Sequence, residues 1–531
     1  MPVITIRETA DFDASPNATV SFDRHGDFPV TVTNPFSQED EKLLEWYFEE
    51  HLRFPFTNQV QAAKAAGSIR TYGESLFEQL FRKNIDVYAQ YKQAVQGGVD
   101  RLSFEIIGSP EFHGLHWEAL KDPDLPRAFV LDAPMVRGSS QAHTFRANVR
   151  TSPSVNLLIV TARPGGKSDV AYRTVSRPLV ERLRKADLPV HIDILRPGIY
   201  RALTEHLREV RENHGVGFYH IIHFDLHGAL LTFEQMQKGC ETDSLIFQSR
   251  YGRSDMPEYE GRKAFLFFEG DQAGRSDPAE AGEIADLLMN HHIPIAILNA
   301  CQSGKQVWDS ETSLGSRLLQ AGVQTVLAMG YSVTVSAASL MMEKLYEKLF
   351  RKNNLLGTIC HAHTELFNQK ERLAYFNYRI DLEDWMLPVV YGTGGDVALP
   401  LRDFSFEEKA AFFDRQAASF RAPEPEYGFV GRDTDILQVE KHLLSSIGDR
   451  KRNLIFIRGM GGAGKTTLLR HLGEWWQTTR FVKQVFYFGY DEKAWNVQQI
   501  MDEIAKGLFG AGPLLPGATV HPELMQFRAM S

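Results

Sequence analysis

Two side chains that together support thiolate chemistry follow apolar segments of the sequence. His227, with Gly228 after it, follows GFYHIIHFD, and Cys301 follows IPIAILNA and precedes Gln-Ser-Gly. A thiol becomes a strong nucleophile when a neighbouring histidine removes its proton. The small residues after Cys301 permit a turn whose backbone N–H groups can hold an oxyanion. A cysteine in this place without a partner would more often be a buried apolar residue.

A glycine-rich segment predicts a second site, one that binds phosphate. GMGGAGKT, residues 459–466, satisfies G-x-x-x-x-G-K-[ST] between the apolar segment NLIFIRG and the helical segment KTTLLRHLGEWW. Its glycines let backbone N–H groups turn towards phosphate oxygens at a helix N-terminus. Lys465 would reach the β and γ phosphates, and Thr466 would ligate Mg²⁺. The expected nucleotide-binding residues here are Gly459, Gly461, Gly462, Gly464, Lys465, Thr466 and Thr467.

The first pair depends on a regular α/β region for its placement. Apolar strand-like segments VNLLIVTA, VHIDILR, GFYHIIHFD, KAFLFFEG, IPIAILNA and VQTVLAM are separated mostly by helical segments such as ALTEHLREVREN. Strands that alternate with helices predict a mostly parallel sheet covered on both faces. Sites in such sheets form at the carboxyl ends of the strands. We therefore expect His227 and Cys301 at the same edge of one sheet.

Length and composition exclude several classes of protein. The chain has 531 residues, 43% apolar and 24% charged, with a net charge of −9, so it is expected to be globular, with about three domains. The acidic balance argues against nucleic acid and membrane partners. Three cysteines form no disulfide framework, and the first residues lack a secretion signal, so we expect a cytoplasmic protein. Residues 323–342 are uncharged but too polar for a membrane span.

Changes of pattern along the chain suggest the domain boundaries. Residues 1–100 mix irregular and helical segments and have no clear fold, and residues 101–400 contain the regular α/β region. A charged helical segment and the Pro- and Gly-containing RAPEPEYG form a linker at 401–428. Residues 429–531 begin a second α/β unit around the glycine-rich segment. The expected fold class is thus α/β throughout.

The pairing of H-G with A-C-x-S-G at two strand ends resembles the caspase-like CHAT family, within the clan of caspases, metacaspases and separases. SPEFHGLHWEAL (109–120) resembles that family's entry segment, AGVQTVLAMGYSV its strand after the nucleophile and WMLPVVYG its closing strand. The resemblance extends over roughly residues 100–395. It implies a caspase-like α/β/α sheet domain and peptide hydrolysis through a thioacyl intermediate.

The resemblance also implies roles for individual residues. Cys301 would be the nucleophile, His227 the general base and acid, and the backbone N–H groups of Gly228 and Cys301 the oxyanion donors. Clan members that cleave after Arg or Lys commonly have an acid two positions before the nucleophile, where this chain has Asn299. Asp225 is the alternative acid for such a substrate pocket, although a strand-end Asp more often makes local hydrogen bonds.

The remaining histidines and cysteines of this region are expected to be structural. His220 and His223 share a strand with His227 but lie at other positions along it, so we expect packed or surface histidines. Cys240 and Cys360 have no comparable partners in the sequence.

The C-terminal segment resembles the nucleotide-binding domain of STAND signalling ATPases, the NB-ARC and NACHT relatives. FVGRDTDI lies upstream of the glycine-rich segment, and the resemblance places Val430, Gly431 and Arg432 near an adenine. It implies ATP or ADP with Mg²⁺ as the ligand. After Lys465 no apolar strand ends in paired acids, so we expect an incomplete P-loop NTPase domain that does not hydrolyse ATP efficiently by itself.

Together these features favour an ATP-regulated, caspase-like cysteine endopeptidase that acts in a prokaryotic signalling or defence system. It would cleave a protein substrate after an unknown trigger causes homo-oligomerisation. One alternative is a nucleotide-dependent oligomerisation scaffold whose CHAT-like domain is an inactive interaction module. A third is an amidotransferase or another thiol acyl-transfer enzyme, which would share the Cys and His chemistry.

Overall fold

The computed structural model describes most of the chain in detail. The described residues are 2–9, 14–23, 25–139, 147–165, 173, 176–185, 189–238, 246–247, 258–261, 263–270, 275–298, 307–331, 334–352, 354–374, 378–392, 399–417, 420–423, 425–426, 428–444, 446–447, 450–451, 454–490 and 493–509. The chain divides into two compact units. One contains Met1–Ser405 and Arg432–Ile455, and the other contains Phe406–Gly431 and Phe456–Ser531.

Nineteen strands occur among the described residues. They are β1 (Val3–Glu8), β2 (Ala18–Phe22), β3 (His25–Val30), β4 (Ser103–Ile107), β5 (Met135–Gly138), β6 (Val155–Thr161), β7 (Val190–Leu195), β8 (Ile221–Asp225), β9 (His227–Leu231), β10 (Ile246–Phe247), β11 (Lys263–Glu269), β12 (Arg275–Glu280), β13 (Ile295–Leu298), β14 (Thr325–Met329), β15 (Glu371–Leu373), β16 (Arg379–Asp381), β17 (Pro388–Gly392), β18 (Ser446–Ile447) and β19 (Arg450–Lys451).

Fifteen α-helices occur in the same part of the chain. They are α1 (Gln38–Glu49), α2 (Gln59–Phe77), α3 (Ile85–Val95), α4 (Pro110–His113), α5 (Ser176–Lys185), α6 (Tyr200–His214), α7 (Phe233–Lys238), α8 (Ala281–Asn290), α9 (Val307–Gln320), α10 (Val335–Lys352), α11 (Leu355–Asn368), α12 (Phe406–Ala417), α13 (Asp433–Leu444), α14 (Lys465–Thr478) and α15 (Val497–Phe509).

An eleven-stranded mixed sheet organises the larger unit, in the order β3-β2-β1-β4-β5-β17-β14-β13-β8-β6-β7. Strands β7, β6, β8, β13 and β14 run parallel, and β17 closes this part antiparallel to β14. Leu158, Val160 and Phe224 on one face pack in a core with residues of α6, α8 and α9. Leu157 and Ile159 on the opposite face are fully buried as well. The predicted parallel, doubly covered sheet is confirmed.

The N-terminal residues extend this sheet. β1 pairs in parallel with β4, with Val3 level with Ser103, and β2 and β3 continue the sheet outwards. Helices α1 to α3 lie between β3 and β4 in the chain. Three strands from the first 30 residues thus belong to the same sheet as the strands that follow residue 100.

One predicted strand belongs to a different sheet. The segment KAFLFFEG forms β11, which pairs antiparallel with β9 and β12 in a four-stranded sheet of order β10-β12-β11-β9. The other five predicted segments form β6, β7, β8, β13 and β14 of the large sheet. An apolar run specifies a buried strand but not its partner, so the sequence pattern placed β11 in the wrong sheet.

The smaller unit has helices α12, α14 and α15. The expected strands NLIFIRG and VKQVFYFGY are not hydrogen-bonded strands in the part of them that the structure describes, 454–459 and 482–490. Phe456, which an inner strand would bury, is 75% exposed. A strand needs a paired neighbour, and the described residues of this unit supply none.

Candidate active site

His227 lies at a corner where the chain passes from one sheet to the other. Strand β8 ends at Asp225 in the large sheet, Leu226 follows, and His227 begins β9 of the four-stranded sheet. His227 is 8% exposed and Asp225 is 3% exposed. Across the ladder, His227 is level with Phe267 of β11. His227 therefore lies in a buried turn that is held by a strand of each sheet, at the carboxyl edge of the parallel strands.

A buried arginine holds this corner. Arg163, just after β6, donates from Nη2 to Asp225 Oδ1 and from Nη1 to the Asp225 carbonyl oxygen, both at 2.7 Å. Its side chain is 5% exposed and that of Asp225 4%. The backbone N–H of Arg163 donates to Glu269 Oε1 at 3.1 Å. A charge-assisted, bidentate contact of this kind fixes both the side chain and the backbone of Asp225.

Strand β13, which precedes Cys301 in the sequence, pairs with β8 in the large sheet. In the parallel pair β8 and β13, Phe224 is level with Leu298. His227 lies three residues beyond Phe224, and Cys301 lies three residues beyond Leu298. Cys301 and Asn299 lie outside the described residues. The pairing of His227 with Cys301 stays a prediction.

Gly228, the predicted oxyanion donor, occupies a tight position in β9. It is level with Leu266 of β11. A Cβ atom at this position would lie 3.0 Å from Leu314 Cδ2 of α9 and 3.4 Å from Leu266 Cδ2. The position therefore suits glycine because α9 approaches β9 closely.

Asp225 is already paired inside the protein. The Arg163 guanidinium neutralises its charge, and its second carboxylate oxygen is buried without a hydrogen-bond partner in the described part of the chain. This pairing leaves no free acid on the surface at that point. Its role in a substrate pocket, like that of Asn299, stays a prediction.

The other histidines of β8 are buried. Burial lowers the pKa of His220 and of His223 to about 4. His220 Nδ1 accepts the backbone N–H of Asn156 at 2.9 Å. His223 is fully buried, so the expectation of packed histidines is confirmed for both.

The described free cysteine is also structural. Cys360, in α11, is buried, and burial raises the pKa of its thiol to about 12. A thiol with so high a pKa is a poor nucleophile at neutral pH. Cys240 lies outside the described residues.

Two glycines of the glycine-rich loop have left-handed backbone conformations. Gly462 and Gly464 have φ values of +74° and +79°, in the left-handed region that favours glycine. Helix α14 begins at Lys465, as predicted, and Lys465 Nζ donates to the carbonyl oxygens of Gly459 and Met460 at 2.9 and 2.8 Å. The ammonium group thus hydrogen-bonds to the backbone of the same loop, and its role in phosphate binding stays a prediction.

Two of the three residues expected near an adenine, Val430 and Arg432, have different surroundings. Val430 is 84% exposed. Arg432 Nη1 lies 3.0 Å from Asp435 Oδ2. Their role in adenine binding remains a prediction, as does the ligand role of Thr466 and Thr467, both of which are exposed at the start of α14.

Sequence reasoning missed Arg163 and Glu269. Both stand at the carboxyl end of an apolar run, VNLLIVTA before Arg163 and KAFLFFE ending at Glu269. A charged residue at that place in a buried strand is a usable signal, because a charge there must either be paired or line a site. Only the sheet connections show that the two residues meet beside Asp225.

Two further searches of the described residues were negative. They contain no group of three or more histidine, cysteine or acidic side chains placed to bind a metal ion. None of their helices combines the length and the hydropathy that a membrane crossing requires.

Comparison with known proteins gives a family match. Residues 70–393, more than half of the chain, match the family model described as the CHAT domain. No curated protein sequence matches the chain significantly.

Solved structures similar to the chain include two of the Saccharomyces cerevisiae separase–securin complex. One has 12% identity and a TM-score of 0.34 over 74% of this chain, and the other has 12% identity and a TM-score of 0.33 over 76%. The chain spans 30% of the length of each separase chain. The complex of the Porphyromonas gingivalis RgpB pro- and mature domains matches 69% of this chain and 78% of that one, at 10% identity and a TM-score of 0.29.

Proposed function

The chain belongs to the CHAT domain family, and from this membership we propose that it is a caspase-like cysteine endopeptidase with His227 and Cys301 as its catalytic pair. The observation that carries the proposal is the corner at the end of β8. Arg163 holds Asp225 there, two residues before the buried His227, and Cys301 comes three residues after the adjacent strand β13 in the sequence.

The proposed chemistry uses groups of this chain alone. His227 takes the proton of the Cys301 thiol, and the thiolate attacks the carbonyl carbon of the scissile peptide bond. The negative charge on the carbonyl oxygen is then stabilised by the N–H groups of Gly228 and Cys301. The imidazolium gives its proton to the leaving amine as the C–N bond breaks, which leaves a thioester on Cys301. His227 then takes a proton from water, and the water oxygen attacks the thioester and releases the acid product and the Cys301 thiolate.

We further propose that a nucleotide regulates this activity. The P-loop sequence, the left-handed glycines and the position of Lys465 at the start of α14 support ATP or ADP with Mg²⁺ as the ligand. The ligand would be held by the loop 459–464, with Lys465 against the phosphates and Thr466 on the metal. On this proposal the chain is a cytoplasmic STAND-class effector that oligomerises on activation and cleaves a protein substrate.

The endopeptidase activity is tested with a fluorogenic peptide library that varies the residue before the cleaved bond. We expect cleavage by the wild-type chain, with Mg²⁺ and ATP present, and a decrease of at least about 10³-fold in Cys301→Ala and His227→Ala. Cys360→Ala is the matched control, because it also removes a thiol but from the core of α11, and it should retain activity. Equal cleavage by Cys301→Ala would refute the proposal. No cleavage by any variant would favour the scaffold alternative.

A further inference from the structure

Helix α13 belongs to the same unit as His227 and packs on the rest of that unit. Its buried residues are Ile436, Leu437 and Glu440. Asp433 precedes Ile436, Leu437 and Lys441 by three, four and eight residues, which places all four on the same side of the helix. Buried apolar residues flanked by charged side chains define one packing position for a surface helix. The residues that receive it are Arg173, Arg196 and Glu269.

Two ion pairs fix the helix along its length. Asp433 Oδ1 accepts a hydrogen bond from Arg173 Nε at 2.7 Å, and the Arg173 side chain is fully buried. Arg196 Nε lies 3.0 Å from Glu440 Oε2, with both side chains fully buried. Removing one partner of such a pair leaves an uncompensated buried charge, so both pairs favour the helix in this position.

The third ion pair reaches the histidine corner. Lys441 Nζ contacts Glu269 Oε2, while the other oxygen of that carboxylate accepts the backbone N–H of Arg163. The backbone N–H of Glu269 donates to the Gly198 carbonyl oxygen at 2.7 Å. Glu269 is also two residues beyond Phe267, the partner of His227 across the ladder.

A continuous chain of contacts therefore leads from α13 to Asp225, close in sequence to the proposed base. It passes from Lys441 to Glu269, from Glu269 to Arg163, and from Arg163 to Asp225, two residues before His227. Glu269 and Asp225 are both buried. Lys441 pairs with Glu269 and Arg163 pairs with Asp225, and the backbone N–H of Arg163 connects the two ion pairs, so loss of Lys441 leaves the buried Glu269 charge without its cation.

We propose that helix α13 positions His227, and that Lys441, Glu269 and Arg163 are the positioning residues through which it does so. The inference deepens the proposed function and rests on it. None of the three needs to touch the substrate. Their effect is to hold the turn Asp225–Leu226–His227 in the geometry that proton transfer from Cys301 requires. The glycine-rich segment 459–466 follows α13 in the sequence, after the short strands β18 and β19.

The test uses Lys441→Gln in the full chain, with Lys263→Gln as the matched control. Both lysines pair with a glutamate, their side chains are 36% and 34% exposed, and they act at opposite ends of β11. Hydrogen–deuterium exchange of peptides covering residues 221–231 is measured together with kcat and KM. We expect faster exchange and a decrease in kcat of at least about fivefold in Lys441→Gln, with KM changed less than about twofold.

Two controls make the result specific. Lys441→Arg keeps the positive charge and should restore kcat to within about twofold of wild type, and Lys263→Gln should behave as wild type in both measurements. Lys441→Gln with unchanged exchange or unchanged kcat would overturn the inference. If the wild-type chain cleaves no peptide, the proposed function fails, whereas the exchange measurement still decides whether α13 holds the His227 turn.

Discussion

At the scale of single residues, the site combines charges and neutral rings that are all removed from water. Arg163 and Asp225 compensate each other, whereas His223 two residues earlier has no hydrogen-bond partner among the described residues. Its ring lies level with Ile159 and Ile297 of the neighbouring strands. A buried imidazole in apolar surroundings can remain only in its neutral form, which makes the fold sensitive to acid.

The acid sensitivity can be measured. Burial lowers the pKa of folded His223 from 6.5 to about 4, so between these values the unfolded chain binds more protons. The contribution of neutral His223 to the free energy of unfolding is therefore complete above about pH 6.5 and is lost as the pH falls towards 4. This contribution amounts to about 3 kcal/mol in total. Between pH 7 and pH 4.5 the free energy of unfolding should fall by roughly 2 kcal/mol less in His223→Leu than in wild type. Urea unfolding at the two pH values measures this difference.

The control for this measurement is His214→Leu, which removes an exposed histidine at the end of α6. It should lose stability with pH as wild type does. If His223→Leu and wild type lose the same free energy of unfolding between the two pH values, His223 is not the group responsible.

At the scale of elements, close packing between backbones decides which residues are tolerated. Helix α2 contains Gly67 and Gly73. A Cβ atom at Gly73 would lie 1.7 Å from the carbonyl oxygen of Ala119, whereas a Cβ atom at Gly67 would meet nothing within 4 Å. Substitutions at the two glycines therefore distinguish the effect of helix propensity from the effect of packing within one helix.

The same substitution should have opposite effects at the two positions. Gly67→Ala is expected to stabilise the chain by about 0.5–1 kcal/mol, because alanine favours the helix. Gly73→Ala should destabilise it by about 2–4 kcal/mol, because α2 must move away from residues 119–121. Chemical unfolding of both variants beside wild type measures the two values. A Gly73→Ala chain as stable as wild type would show that α2 does not pack so closely there.

Elements of this protein differ in how far the sequence predicts them. Strands β6, β8, β13 and β14 are long apolar runs between helical segments, and each was predicted where it occurs. The partner of β11 was not predictable, because apolar runs do not encode which strands pair. Strand β3, HGDFPV, contains both Gly and Pro and gives no alternating signal, so the extension of the sheet by the first 30 residues was missed.

At the scale of the whole molecule, a single sheet of eleven strands organises the unit that contains the proposed active site. The sequence predicts His227 and Cys301 as partners because both follow predicted strands of one sheet, and the strands that precede them, β8 and β13, are neighbours in that sheet. It does not predict the roles of Arg163, Glu269 or α13, since these depend on contacts between segments distant in the chain. Lys441 and Glu269 are an example: 172 residues separate them (441 − 269).

The central claim is that Cys301 is a thiolate activated by His227. It is tested most directly by labelling the purified chain with a peptidyl thiol electrophile and identifying the modified cysteine by mass spectrometry. We predict modification of Cys301 in wild type, none at any cysteine in Cys301→Ala, and labelling at least about tenfold slower in His227→Ala. Equal labelling of wild type and His227→Ala, or labelling that persists in Cys301→Ala, would contradict the account.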